Sequence, residues 1–290
     1  VSGHVVTGFQ EGGDIREISD IGLLKIDALG LNNVTIVHKA LESVKARKGV
    51  KIDIWAIDLD DDKLLERFRM GHTTGIFQFE SSGITKFIVE LQPEKFEDLI
   101  LVNAAYRPGT LKAGGVDMIL KMRHADHVDY PHELVKEVLG ETYGVLVYQE
   151  QQMELMNKVG SFTMVEADKS RKTIKLINKA SVASPEQLQK FYDMLEKFKT
   201  GAIARTGITE EQVMELVNAM AAPAEYSFNK SHSASYAISA QQNMYLKHYH
   251  PADYAAAYLT RTRNEEKKAK KGTTGENKVL KYINMAKHVM

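Results

Sequence analysis

Asp27 and Lys25 occupy alternate positions of Leu24-Lys25-Ile26-Asp27, where apolar and charged residues recur with the period of a half-buried strand. A strand there places the carboxylate and the ammonium on one face, roughly 7 Å apart along the chain. That pairing suits catalytic work, and an ordinary solvated strand edge explains it as well. Other carboxylates fit metal chemistry less well. Asp58, Asp60 and Asp62 open like a calcium loop, but Lys63 stands where glycine is needed and Arg69 where glutamate is needed. Asp60 or Asp61 capping a helix over 63–69 explains the same residues.

Three groups of cations are candidates for anion recognition. Arg107 sits in Tyr106-Arg107-Pro108-Gly109, where the Pro-Gly pair predicts a turn that holds the planar guanidinium at a fixed point, suited to a phosphate or carboxylate. Between Asp168 and Lys179 lie Lys169, Arg171, Lys172, Lys175 and Lys179, and a helix there aligns Arg171, Lys175 and Lys179 on one face. Like charges at that spacing mildly destabilise a helix, so an anionic partner or a solvated face must offset them. Asn229-Lys230-Ser231-His232-Ser233 puts a cation, hydroxyls and an imidazole just before an expected helix start at Ala234, where the helix dipole favours an anion. Ser231 or Ser233 as a plain N-cap is the alternative. Adjacent Ser and His in one loop do not supply hydrolase geometry. Gly71-His72-Thr73-Thr74-Gly75 is rich in backbone donors but lacks the Gly-Lys-Ser/Thr ending of a phosphate loop, and a structural role is expected for it.

The elements that must position these groups read as helices, since only six prolines interrupt 290 residues. Val34, Val37, Leu41 and Val44 recur at helical spacing before Gly49, and Ser81 and Ser82 look like the cap of a helix that includes Ile84. Ser184-Pro185-Glu186-Gln187 predicts a capping box with proline at the first helical position, followed by a stripe of Leu188, Phe191, Leu195 and Phe198 ending at Gly201. Thr209 to Gln212 repeats that start signal ahead of Val213, Leu216, Val217 and Met220. Both stripes are core-forming. Helices are also expected over 234–249 and 252–259, separated by Pro251, then a charged link from Arg261 to Glu276 and a short last helix.

Composition bounds the remaining possibilities. Lys plus Arg equals Asp plus Glu at 38 each, so no global positive field attracts a polyanion, although a patch such as Lys267, Lys268, Lys270 and Lys271 remains. The absence of cysteine excludes disulfides, thiolate metal sites and cysteine nucleophiles, and is compatible with a cytoplasmic setting. No run of about 18 apolar residues and no secretory leader pattern is present, so no membrane association is expected. The chain opens at Val1 on turn-rich sequence, as a processed chain or a segment of a longer one does, and we expect the latter.

Read in order, several strings resemble the bacterial DNA polymerase III alpha subunit, a family C replicative DNA polymerase. They are 22–31 (GLLKIDALGL), 73–83 (TTGIFQFESSG), 106–109 (YRPG), 141–151 (ETYGVLVYQEQ) and 228–234 (FNKSHSA). The resemblance spans nearly the whole chain. It implies a mainly α fold: a helical fingers domain over 32–263, preceded by a short α/β palm remnant of nucleotidyltransferase type over 1–31. A charged linker and the start of a following region then occupy 264–290. It further implies DNA synthesis driven by two magnesium ions, with Asp27 as a metal ligand and Lys25 as a neighbouring active-site cation.

Arg171 falls at the first residue of the family's Arg-Arg pair, which acts on the incoming deoxynucleoside triphosphate, and Lys172 at the second, where lysine keeps the charge but loses the planar fork. Arg107, Lys175, Lys230, Ser231 and His232 complete the expected nucleotide-binding set. Residues 173–179 depart from the family's Gly-Lys-Lys run, and Ala28 stands where a bulky aromatic is common, as in a divergent member, cellular or viral. The family's Pro-Asp-x-Asp-x-Asp-Phe segment has no match, so the chain alone is expected to be inactive. It would act with primer-template DNA and with the remaining palm, thumb and C-terminal parts of the polymerase. The competing readings are a non-catalytic helical module that binds nucleic acid or a replisome partner through Arg107, Arg171, Lys172 and Lys230, and a structural remnant with no retained ligand.

Overall fold

The computed structural model describes residues 11–12, 15–24, 31–174, 183–221, 223, 227–268 and 278–289. At the start, β1 (Glu11–Gly12) pairs antiparallel with β2 (Ile15–Arg16), and one helical turn, α1 (Glu17–Asp20), follows. The expected strand over 24–27 reaches only Leu24 among the described residues. Lys25, Asp27 and Ala28 lie outside them, as do Lys175 and Lys179.

The described remainder is helical, as the sparse prolines predict. The helices are α2 (Asn32–Lys48), α3 (Asp62–Arg69), α4 (Ser82–Leu91), α5 (Phe96–Ala105), α6 (Pro108–Lys112), α7 (Gly115–Arg123), α8 (Glu133–Leu139), α9 (Gln149–Lys158) and α10 (Met164–Thr173). They continue as α11 (Pro185–Thr206), α12 (Glu210–Ala221), α13 (Lys230–Tyr249), α14 (Pro251–Lys268) and α15 (Lys278–Val289).

Local signals account for many of the boundaries. Gly49 at φ 68° ends α2 in the left-handed conformation that glycine adopts most easily. Asp61 caps α3 by accepting the Lys63 amide, while Asp60 accepts the Phe96 amide at 2.7 Å. The Ser184 and Thr209 boxes close as expected, each hydroxyl accepting the amide three residues on and each glutamine reaching back. Ser81 precedes α4 without a side-chain capping bond.

Four expected boundaries are corrected. Pro108-Gly109 opens α6, with Arg107 as its N-cap, because proline is pre-organised for the first helical position. Gly201 lies inside α11, which runs to Gly207 at φ 70°. A Cβ at Gly201 would overlap the Gly160 carbonyl, so this glycine permits helix crossing and terminates nothing. Helix α13 starts four residues before Ala234, capped by Asn229 and by neither Ser231 nor Ser233. Helix α14 continues through 261–268, where Arg, Glu and Lys are good helix formers, in place of a charged link.

Three apolar clusters position the functional side chains. One gathers α3, α4, α5 and α7 around the middle of α13, and a second packs α8 to α12. The third joins α2, Ile54, the end of α13, α14 and Tyr282 of α15. The first two meet at 146–148, where Leu146 enters one cluster and Val147 and Tyr148 the other. There Tyr148 forms a parallel bridge with Phe228.

Candidate functional site

Arg107 is held where α5 ends and α6 begins. Its amide donates to the Ala105 carbonyl at 2.8 Å, and Pro108 fixes the next backbone angle. Its guanidinium carbon lies 3.3 Å from the centre of the Phe228 ring. Phe228 is brought there by the ladder at 147–149: its amide donates to the Val147 carbonyl, and the Gln149 amide donates to its own carbonyl. Such a cation over a ring contributes about 0.5–2 kcal/mol, more as water is withdrawn. Burial moves the Arg107 pKa below its usual value, with Tyr236 opposing the shift. Its Nε is buried without a hydrogen-bond partner, and no carboxylate pairs with it among the described residues.

The aromatic contacts continue along α13. Phe228 meets His232 edge-on at 5.3 Å, His232 meets Tyr236 at 4.5 Å, and Tyr236 stacks on Phe77 at 5.3 Å. Arg107, His232 and Tyr236 line a cleft of about 410 Å³ with Gln78, Ser81 and Asn103. Gln78, held at φ 64°, and Ser81 also line an adjoining hollow of about 490 Å³ at the start of α2. Leu31, four residues after Asp27 in sequence, is part of that second lining. The cleft therefore presents an unneutralised planar cation, an imidazole, amides and aromatic faces. That set suits an anion carrying a flat ring.

The structure brings Arg107 and His232 together but gives the neighbouring groups internal partners. Lys230 donates to Glu141 at 2.5 Å. Ser231 donates to Asn229 Oδ1 at 2.6 Å. The anion expected at the start of α13 is supplied from within: Glu150 accepts the Lys230 amide at 3.0 Å and the Asn229 side-chain amide at 2.8 Å. Arg171, on α10, lies outside the cleft lining and reaches Asp168 at 3.2 Å, one turn away. Lys172 lies on the same helix.

Sequence reasoning missed Tyr236 in the cleft lining, Phe228 as the ring beneath Arg107, and Glu150 as the acceptor at the start of α13. A carboxylate in the first turn of α9 was a legible sign of an N-terminal role for Glu150, but nothing local pointed to α13. It also missed Lys247. That ammonium is 6% exposed and donates to the carbonyls of His72 and Thr74 at 2.7 and 2.8 Å. Burial, aided by the charge of Arg67, lowers its pKa to about 7. The 71–75 loop thus turns carbonyls inward, and Tyr254 donates to the next one, at Gly75. Among the described residues, no group of three or more His, Asp or Glu side chains is placed to hold a metal ion. Likewise, no helix among them is long and apolar enough to cross a membrane.

Comparison with known proteins bears on this arrangement. The profile of the bacterial DNA polymerase III alpha subunit finger domain matches residues 33–199, which include Arg107 and Arg171. The chain is 38% identical over 266 residues to DNA polymerase III subunit alpha of Aquifex aeolicus, covering 91% of this chain and 22% of that protein. It is 37% identical over 267 residues to the subunit of Escherichia coli strain K12, covering 89% and 22%. The Thermus aquaticus subunit is 35% identical over 261 residues, covering 88% and 20%. The chain spans about a fifth of the length of these relatives.

Proposed function

Because this chain belongs to the bacterial DNA polymerase III alpha subunit family, we propose that it supplies the fingers of a replicative DNA polymerase and that the Arg107 cleft faces the incoming deoxynucleoside triphosphate. The observation that carries this reading is the Arg107 guanidinium, partly withdrawn from water, seated on Phe228 and lacking an anion of its own. A triphosphate would complete its hydrogen bonds, and the face of Tyr236 or His232 would meet the base or sugar. In this proposal Arg171, Lys172 and Lys175 also act on the phosphates. Lys230 and Ser231 support the cleft from the first turn of α13.

Asp27 and Lys25 belong to the chemical step. The described residues offer no cluster for Mg2+, so Asp27 would join carboxylates from the remaining palm. When bound, the ions would lower the pKa of the attacking 3′-hydroxyl and offset the negative charge that builds on the leaving pyrophosphate. Lys25 and the arginines stabilise charge that builds on the phosphates. Primer-template DNA and the palm, thumb and C-terminal parts complete the machine.

Two measurements test the proposal. Titration with a fluorescent deoxynucleoside triphosphate should show Arg107→Gln binding at least about tenfold more weakly, the loss of one charge-assisted contact. Unchanged affinity would remove the triphosphate from this cleft. Primer extension should require added palm polypeptide and disappear with Asp27→Asn, whereas robust extension by the chain alone would overturn the account of the missing metal ligands.

A further inference from the structure

Gln78 lines the Arg107 cleft from a backbone angle, φ 64°, that residues other than glycine rarely adopt. Such a conformation persists only where the surroundings over-determine it. Part of that constraint is local. The Ile76 amide donates to the Thr73 carbonyl at 2.9 Å and the Phe79 amide to the Ile76 carbonyl at 3.0 Å, and both side chains are buried in the first cluster. Between them, Phe77 stacks on Tyr236 of the cleft. The rest of the constraint comes from α13, α14 and α15.

Three contacts converge on 72–75. Lys247 of α13 holds the carbonyls of His72 and Thr74, and Tyr254 of α14 donates to the Gly75 carbonyl at 2.6 Å. The third is Tyr282 of α15. Its ring lies so close to Gly75, at φ 78°, that a Cβ there would come within 2.7 Å of Tyr282 Cε2. Tyr282 is fully buried and stacks on Tyr258 at 4.6 Å, and Tyr258 in turn donates to Glu80 at 3.0 Å. Lys281 reaches the Glu80 carbonyl at 3.5 Å. Helix α15 therefore touches 75 and 80, on both sides of Gln78, although none of its side chains lines the cleft. The buried Tyr282 hydroxyl has no hydrogen-bond partner among the described residues, so the ring alone makes the contact.

We propose that Tyr282 is a positioning residue for the Arg107 cleft: α15 clamps Gly75 and so fixes Phe77, Gln78 and Ser81 where they and Tyr236 meet the ligand. The inference rests on the reading of that cleft as the triphosphate site. Glycine has a wider choice of backbone angles than any other residue, and the Tyr282 ring removes that choice at 75. Without the ring, the left-handed turn at Gln78 loses one of the groups that over-determine it. The ligand must then order the cleft wall itself, and affinity falls by the cost of that ordering. A helix outside the cleft lining thereby sets the affinity of the cleft.

The test combines titration of the full chain with the fluorescent deoxynucleoside triphosphate, hydrogen exchange of the Ile76 and Phe79 amides, and thermal melts. Tyr282→Ala should bind the triphosphate about tenfold more weakly, the cost of ordering roughly two loosened side chains. Its Ile76 and Phe79 amides should exchange about tenfold faster or more. Tyr282→Phe should match the parent chain in both. Gly75→Ala meets the same contact from the other side and should weaken binding to a similar degree, so it serves if Tyr282→Ala fails to fold. Combined, the two substitutions should cost little more than either alone. If Arg107→Gln loses affinity but Tyr282→Ala only melts earlier and binds as before, Tyr282 is a core residue and the proposal is overturned. If Arg107→Gln also keeps its affinity, the triphosphate reading has failed, and exchange decides the clamp: unchanged protection at 76 and 79 overturns it.

Discussion

Lys247 and Arg107 are both cations withdrawn from water without a carboxylate partner, yet they sit in opposite settings. The ammonium of Lys247 is enclosed by the 72–75 loop and uses two carbonyls as acceptors. The guanidinium of Arg107 covers a ring, lines an open cleft and keeps its buried Nε unpaired. A buried cation whose donors are spent on backbone carbonyls holds a loop in place. One whose donors are unspent at a cleft wall is arranged for an anion from outside. Lys230 shows a third outcome, because Glu141 neutralises it and leaves it a supporting role.

The contrast predicts that Lys247→Ala causes the largest loss of stability, about 3 kcal/mol in urea unfolding, from a cavity together with two stranded buried carbonyls. If Arg107→Met destabilised as much, the distinction would fail. The pH dependence sharpens it. In the folded state Lys247 titrates near 7, against an ordinary value of 10.5. Between those values the unfolded chain binds the extra proton, so stability rises with pH. The penalty of the buried charge is full below pH 7 and is relieved toward pH 10, by up to about 1.4 kcal/mol per unit. Urea midpoints at pH 7 and pH 9 should therefore rise in the parent chain, and Lys247→Met should flatten that rise.

Smaller effects are expected at the cleft. Glu150→Gln should cost about 1 kcal/mol, since a neutral amide caps α13 less well than a carboxylate. A larger loss would mean that Glu150 also holds the 147–149 ladder against Phe228. Arg107→Met should cost less than about 1 kcal/mol of stability, the cation–ring contact alone, while removing triphosphate affinity. Thermal melts alongside nucleotide titration would separate the two effects.

Much of the fold was legible because its signals are short-range. The Ser184 and Thr209 boxes, the Asp61 cap and the Gly49 stop each involve residues within three or four positions, where the helix itself brings donor and acceptor together. The same locality misled at Gly201. Its lack of a side chain reads as a terminator, whereas the reason for it is a carbonyl on another segment. At 229–233 the local pattern marked a helix start and an anion site, but Glu150, 80 positions away from Lys230, takes that place.

The sequence by itself determined a helical chain, its family, and which residues carry charge beside turns and helix starts. Those properties depend on residue type and on neighbours along the chain. Only the tertiary structure decided which charges were answered. Lys230 meets Glu141 across 89 positions and Lys247 meets the 72–74 carbonyls across about 175. Arg107 is left facing a cleft because packing of α5, α6 and α13 sets its distance from every other charge. Coulomb and hydrogen-bond energies depend on separation in space and on exclusion of water, and neither quantity is written in the order of residues.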